Sequence, residues 1–112
     1  MGAGAQLTVT DKRRAARHPI DYKVIAEHRQ LGDVQLRIIN LSAQGFMAVG
    51  VPGLERGERV TIRFPVIGRI ESHLIWSHEE RVGFQFERIV RFDDFMKLID
   101  VLQPNPRLRA RR

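Results

Sequence analysis

The stretch Asn40-Leu41-Ser42-Ala43-Gln44-Gly45 separates two short segments near the middle of the chain. The segment before it, 34–39, alternates apolar and polar residues for most of its length, and the segment after it, 46–49, is apolar. Asn and Ser bond to nearby backbone in turns, and Gly adopts a positive φ without steric cost. We therefore predict a turn over residues 40–45 that joins two antiparallel strands.

Two features of this stretch are more than a turn requires. Asn40 and Ser42 lie two residues apart, so their side chains point to the same face if both residues are extended. Gly45 leaves room for a ligand or for neighbouring backbone where a Cβ would obstruct the approach. Taken alone, however, the stretch is more typical of an ordinary hairpin connection.

Further strand patterns lie on both sides of this hairpin. Apolar and polar residues alternate over 20–27 and 59–64, and a shorter apolar run covers 82–86. In the segment 70–76 we expect one face to carry Ile70, Ser72, Leu74 and Trp76. Turn-forming residues separate these segments, and short strands at this spacing are typical of a small antiparallel barrel or sandwich.

The hydrophobic period changes near the C-terminus. Apolar residues recur there at helical spacing, at Phe92, Phe95, Met96, Ile99 and Leu102. We predict a helix over 92–102, with Asp93 placed to cap its start. Pro104 and Pro106 follow the last apolar position and would end the helix.

Composition narrows the class of protein. The chain has 112 residues, of which 43% are hydrophobic, as expected for one globular domain. No apolar run is long enough to span a bilayer and no signal peptide is evident, so a cytoplasmic protein is the default expectation. The lack of cysteine excludes disulfides and thiolate chemistry. The four histidines have no metal-ligand spacing, and neither a nucleophile elbow nor a phosphate loop is present, so we expect neither an enzyme nor a metal site.

Arginine dominates the basic residues. The formal net charge is +6, and only three of the 19 basic residues are lysine. Arginine binds phosphates and guanine edges with two parallel hydrogen bonds and stacks on flat rings, which lysine cannot do. A genome rich in G and C would produce the same bias, so composition alone does not establish an anionic ligand.

Two motifs occur in a suggestive order. Arg13-x-x-x-Arg17 precedes Asn40-x-Ser42-x-x-Gly45. The arginine spacing alone is weak evidence because Arg59 and Arg63 share it, whereas the second motif is scarce. Together they resemble the motifs of the PilZ domain family, whose members bind the bacterial second messenger cyclic di-GMP. Leu74-Ile75-Trp76 and the segment 81–86 also resemble the late strands of that family.

The resemblance implies a fold and a division of the chain. It covers residues 11–102 and implies a mainly β protein, a six-stranded antiparallel (split) β-barrel with a C-terminal α-helix. The PilZ-like domain, 11–103, would comprise an arginine leader (11–18), the barrel (19–88) and the helix (92–102). The segment 1–10 would be a mobile N-terminal tail, and the basic segment 104–112 a disordered one.

The resemblance also implies a ligand site, formed by Arg13, Arg17, Asn40, Ser42 and Gly45, with Arg14 as an additional candidate. The arginines would bind phosphate oxygens or guanine edges and stack on the rings, and Asn40 and Ser42 would make polar contacts. An Asp at position 40 would accept from guanine N1–H and N2–H with charge assistance, whereas Asn offers one acceptor and one donor. The family pattern allows both residues, so this difference concerns affinity.

The sequence thus predicts a non-catalytic cyclic di-GMP receptor, which would bind its ligand either singly or as a stacked dimer. Ligand binding would reorder the arginine leader and signal to a downstream protein, without a membrane span or a further cofactor. One alternative is a nucleotide-independent protein-interaction module on the same barrel. The other is a single-stranded nucleic-acid-binding barrel, which the arginine content favours and the scarcity of aromatic residues disfavours.

Overall fold

The computed structural model describes residues 16–50 and 53–103. Its elements in chain order are β1 (His18–His28), β2 (Gly32–Ser42), β3 (Gly45–Val49), β4 (Arg59–Phe64), β5 (Gly68–His78), β6 (Arg81–Phe86) and α1 (Phe92–Leu102). The strands are antiparallel and close into a barrel in the order β1-β2-β3-β6-β5-β4. The predicted six-stranded antiparallel barrel with a C-terminal helix is confirmed. The predicted tails, 1–10 and 104–112, lie outside the described residues.

The barrel is closed unevenly at the junction of β1 and β4. These strands pair only where Ala26, Glu27 and His28 face the residues 60–62. Nearer the start of β1, side chains make the contact instead, and the Tyr22 ring stacks on the Phe64 ring with 6.2 Å between centroids. The two strands therefore separate towards the start of β1, where the first motif enters the fold.

The interior of the barrel is aromatic. Phe46, Phe64, Phe84 and Phe86 are all buried on the inner faces of their strands. The Phe46 and Phe84 rings stack with 4.9 Å between centroids, and Phe64 meets Phe86 edge-on at 5.9 Å. Such arrangements are the favoured geometries of ring pairs, and each ring removes a large apolar area from water. Most of the few aromatic residues of the chain are therefore used to form its core.

Helix α1 packs on this core and contacts the start of β1. Its apolar face buries Phe95, Leu98 and Ile99. The Phe95 ring meets the edge of the His18 ring, with 5.3 Å between centroids. After the helix, the Gln103 side chain donates a hydrogen bond from Nε2 to the Pro19 carbonyl. The residues that follow Arg17 are thus held against both ends of the helix.

The predicted cap of this helix is wrong, although its bounds are as predicted. The N-cap residue is Arg91, and no side chain there bonds to the backbone of the first turn. Asp93 lies two residues after the N-cap position, with Asp94 inside the first turn. Carboxylates are favourable at that position because they face the positive end of the helix dipole.

The predicted turn over 40–45 is also too long. Asn40, Leu41 and Ser42 continue β2, Gly45 begins β3, and only Ala43 and Gln44 form the turn. Strand pairing extends to the pair Ser42 and Gly45 because both residues tolerate extended backbone as well as a turn. Strands β1, β5 and β6 likewise run one or two residues beyond their predicted ends, whereas the bounds of β4 match.

Trp76 lies on the opposite face from the one predicted. Ile70, Ser72 and Leu74 are buried on the inner face of β5, as expected. The register between β5 and β6 then shifts between Leu74 and Trp76, so Trp76 pairs with Gly83 rather than following Leu74 inward. A β-bulge of this kind inserts a residue and reverses the alternation of faces.

The absence of a side chain at Gly45 is a packing requirement of the barrel. A Cβ there would overlap the Phe84 carbonyl oxygen of β6 and lie 3.0 Å from Gln85 Cα. These are backbone atoms, so the two strands would have to move apart.

We expect Gly45→Ala to lower the free energy of unfolding by about 1–3 kcal/mol, measured by chemical denaturation. Gln44→Ala, an exposed neighbour, should change it by less than about 0.5 kcal/mol; equal stability of both variants would contradict the close approach.

Candidate functional site

The end of the β2–β3 hairpin fixes the second motif. The Ser42 hydroxyl accepts a hydrogen bond from the Gln44 N–H at 3.2 Å and lies 3.4 Å from the Gly45 carbonyl oxygen, to which it can donate. Ser42 is only 4% exposed, so these local bonds stabilise the two-residue turn. Within this motif, Ser42 and Gly45 thus have clear structural roles, and their contact with a ligand stays a prediction.

The two motifs meet at Asn40. Its Oδ1 accepts a hydrogen bond from Arg17 Nη1 at 3.1 Å, across 23 residues of sequence. Its Nδ2 lies 3.6 Å from the Met47 sulfur on the neighbouring strand. The amide is therefore oriented with its oxygen towards the arginine and its nitrogen towards β3. Arg13 and Arg14, the other predicted leader residues, lie outside the described residues.

A groove of about 310 Å³ lies beside this hairpin. Arg17, Ser42 and Gly45 line it from the two motifs. The opposite side is formed by β5, by β6 and by the segment that leads to α1, with Trp76, Gly83, Gln85, Glu87, Arg88 and Ile89. We call this the motif groove. Asn40 does not line the motif groove, but it is hydrogen-bonded to Arg17, which does.

Trp76 is fixed against the wall of the motif groove by Gly83. A Cβ at Gly83 would overlap Nε1 and Cε2 of the indole, so the ring lies directly on the backbone of β6. Trp76 remains half-buried, and part of its ring is open to the groove. An aromatic ring held in this way offers a flat surface on which a nucleobase can stack.

Among the described residues, no carboxylate forms an ion pair with Arg17. Other arginines of the barrel have such partners: Arg37 donates to both oxygens of Asp21 at 2.8 and 3.0 Å, and Arg69 Nη2 lies 3.0 Å from Glu27. The hydrogen bonds from Arg37 hold the pKa of Asp21 below its ordinary value. Arg17 is exposed and its partner in this structure is a neutral amide. In this part of the chain, its guanidinium is therefore available to an anion.

A larger cavity of about 710 Å³ lies elsewhere, against the β1–β2 turn and the start of β4. None of its lining residues belongs to either motif. His28 donates from Nε2 to Glu58 at 2.7 Å, and its Nδ1 accepts from the N–H groups of Gln30 and Leu31. The imidazole thus has a structural role in the β1–β2 turn, and the motif groove is the better candidate site.

The described residues add two findings that concern other classes of function. Over 16–50 and 53–103, no cluster of three or more His, Asp or Glu side chains could hold a metal ion. In the same residues, no helix has the length and apolar character needed to cross a membrane.

The site contains residues that the sequence did not single out as ligand-binding. Trp76, Gln85, Glu87 and Arg88 join the motif groove because β6 pairs with both β3 and β5. The sequence contains one indication of this contact. Trp76, the only tryptophan, and Gly83 lie on either side of a predicted turn that joins two strands. A glycine opposite a large aromatic residue is typical of a ring packed flat on a strand.

The contact between Trp76 and Gly83 can be tested without a ligand. Gly83→Ala should displace the indole from the strand, because its new Cβ would occupy the position of the ring. We expect the single tryptophan to show red-shifted emission and stronger quenching by acrylamide, with a small loss of stability of about 1 kcal/mol. Gln85→Ala, on the same strand, should leave the emission unchanged. Parent-like emission of Gly83→Ala would show that the indole lies elsewhere.

Comparison with known proteins agrees with this fold. The sequence model of the PilZ domain matches residues 11–101. The crystal structure of the PilZ domain of CeSA from a cellulose-synthesizing bacterium is similar, with a TM-score of 0.56 at 19% identity, over 80% of this chain and 97% of that chain. The inhibitor of motility MotI/DgrA of Bacillus subtilis has a TM-score of 0.53 at 19% identity, over 94% of this chain and 57% of that chain.

At these identities the two structures support the fold alone. No curated protein matches the chain. The family match carries more weight because it spans most of the sequence, including both motifs and all six strands. The chain therefore belongs to the PilZ domain family.

Proposed function

We propose that this protein is a non-catalytic receptor that binds cyclic di-GMP in the motif groove. PilZ domains are generally non-catalytic binding domains, and cyclic di-GMP is the ligand of the family. The observation that carries the proposal is the hydrogen bond between Arg17 and Asn40 at the edge of the groove. It joins the two motifs at one site, where a charged and a neutral polar group can act on the same ligand.

The chemistry of the groove suits a cyclic dinucleotide. Its two phosphates are anionic, and a guanidinium can bind phosphate oxygens with two parallel hydrogen bonds. Arg17 has the free charge for this contact, and Arg13 and Arg14, just before it in sequence, would add to it. The indole of Trp76 offers a stacking surface for a guanine base. Asn40 would hydrogen-bond to a guanine edge once Arg17 has turned to the ligand.

The start of β1 offers a route from ligand to partner. Arg17 is followed by His18, whose ring contacts Phe95, and by Pro19, whose carbonyl accepts from Gln103. In the proposal, movement of the arginine leader over the ligand changes these contacts with α1. The rearranged leader and helix then present a different surface to a downstream protein.

The nucleic-acid alternative has less support. Proteins that hold single strands without sequence preference stack successive bases on exposed aromatic side chains. In the part of the chain that the structure describes, Phe46, Phe64, Phe84 and Phe86 are buried, and Tyr22 is packed on the core. Trp76 remains as a stacking surface in the groove, which suits a small ligand better than a strand. A nucleotide-independent module is disfavoured because every residue of the two motifs is present.

Arg17 should contribute to binding but not to folding. It is exposed and makes one hydrogen bond to a neutral group, so Arg17→Ala should leave the melting temperature of the free protein nearly unchanged. Loss of charge-assisted contacts worth about 1.5–3 kcal/mol should weaken cyclic di-GMP binding by about ten- to a hundred-fold. Isothermal calorimetry measures this change and also gives the number of ligands bound.

Arg63→Ala is the matched control, since Arg63 is an exposed arginine on β4 away from the motif groove. It should bind cyclic di-GMP as the parent does. Equal affinities for the parent and Arg17→Ala would remove Arg17 from the site, and no binding by the parent would overturn the proposed function.

The salt dependence of the binding affinity distinguishes a cyclic di-GMP receptor from a nucleic-acid-binding protein. Binding of a nucleic acid releases counterions, so its affinity falls steeply with salt and draws on all available arginines, including those of 107–112. Cyclic di-GMP has two charges, so we expect a shallow salt dependence that deletion of 107–112 hardly changes. Asn40→Ala should weaken binding clearly at every salt concentration. A steep dependence that flattens on the deletion, with no effect of Asn40→Ala, would favour the nucleic-acid alternative.

A further inference from the structure

Hydrogen bonds hold the segment between β6 and α1 beside the motif groove. The Glu87 N–H donates to the Glu71 carbonyl at 2.8 Å, and Glu87 Oε2 accepts from the Glu71 N–H at 3.1 Å. Three residues later, the fully buried Val90 donates its N–H to the Ala43 carbonyl at 2.9 Å. The segment is thus attached to β5 at one end and to the motif turn at the other. These bonds fix the backbone on both sides of Arg88 and hold the Glu87 carboxylate against β5.

Both side chains have hydrogen-bonding capacity to spare. Glu87 uses one carboxylate oxygen on the Glu71 N–H and, within the described residues, forms no ion pair. Over the same residues, the Arg88 guanidinium makes neither a hydrogen bond nor an ion pair. Both residues are exposed and both line the motif groove. Two consecutive residues, one with an available carboxylate oxygen and one with an available guanidinium, therefore line the candidate site, and Glu87 also lines a neighbouring cavity beside Glu71 and His73.

This combination complements guanine. One edge of the base carries two donors, N1–H and N2–H, and a carboxylate can accept both. The adjoining edge carries two acceptors, O6 and N7, to which a guanidinium donates two parallel hydrogen bonds. Adenine has an acceptor at N1 and a donor at N6, so neither side chain would find its matching pair of groups. Asn40 cannot supply a charged acceptor, whereas Glu87 can.

We propose that Glu87 and Arg88 recognise a guanine of the ligand and make the motif groove select guanine over adenine. The inference rests on the proposed binding of cyclic di-GMP and adds two residues to that site. It assigns to Glu87 the charged acceptor role that an Asp at position 40 would otherwise have. The phosphates remain with the arginines of the first motif.

The test compares two ligands that share the same cyclic phosphodiester ring. Dissociation constants for cyclic di-GMP and for its adenine analogue, cyclic di-AMP, are measured by calorimetry with the full chain. Glu87→Gln is the informative variant, because Gln keeps an oxygen for the Glu71 N–H and replaces the other with an amide that opposes guanine N1–H. It should lose about ten-fold or more in affinity for cyclic di-GMP, with little change for cyclic di-AMP. Its melting temperature should match that of the parent.

Arg88→Ala provides a second variant, which removes no hydrogen bond or ion pair between described residues. It should also weaken cyclic di-GMP binding more than cyclic di-AMP binding. Glu80→Gln and Arg63→Ala, exposed and outside the groove, are the controls and should preserve both constants.

The outcomes separate the two proposals. If the parent binds cyclic di-GMP and Glu87→Gln keeps the same preference over cyclic di-AMP, the role of Glu87 is overturned while the receptor function stands. An equal loss for both ligands in Arg88→Ala would assign Arg88 to a phosphate and overturn its role in base recognition. A parent that binds neither ligand would overturn the receptor function and this inference with it.

Discussion

The close approach of Gly45 to the Phe84 carbonyl is the constraint on which the rest of the structure depends. It allows β3 to pair with β6, and this pairing closes the sheet between β2 and β5. The turn before Gly45 then accepts hydrogen bonds from Phe86 and Val90, at 2.8 and 2.9 Å. A methyl group at this position would separate the strands and displace both bonds. The same glycine therefore determines barrel closure and places the segment 87–90 beside the motif groove.

The strands could be predicted because a barrel of this size has one apolar interior. Inward positions must be apolar and alternate with polar ones, so the pattern over 59–64 gave the bounds of β4 without error. The strand and turn predictions are wrong where the local backbone geometry departs from that alternation. Asn40 and Ser42 are turn formers that also adopt extended backbone in a strand, so the predicted turn is longer than the observed one. The bulge before Trp76 leaves no mark in the pattern of apolar residues, so its face was assigned wrongly.

The candidate site could be predicted only as far as its motifs extend. The resemblance of the two motifs to those of the PilZ family implied a shared site, and the structure brings Arg17 and Asn40 into contact. Trp76, Glu87 and Arg88 come from strands and a connection that are distant in sequence from both motifs. Their positions depend on the registers of β6 with β3 and β5, which one sequence does not specify. Pattern analysis therefore finds the residues of a family motif more readily than the residues on the opposite wall of the groove.

The residue at position 40 determines how firmly Arg17 is held before a ligand arrives. Its hydrogen bond to a neutral amide at an exposed site is worth only about 0.5–1.5 kcal/mol, so a phosphate can displace it readily. An Asp would hold the guanidinium as an ion pair, and the ligand would have to break that pair to recruit the arginine. In the proposed receptor, Asn40 would thus offer guanine no charged acceptor but would leave Arg17 easier to release. The inferred role of Glu87 would supply that charged acceptor, because among the described residues Glu87 is the carboxylate that lines the groove.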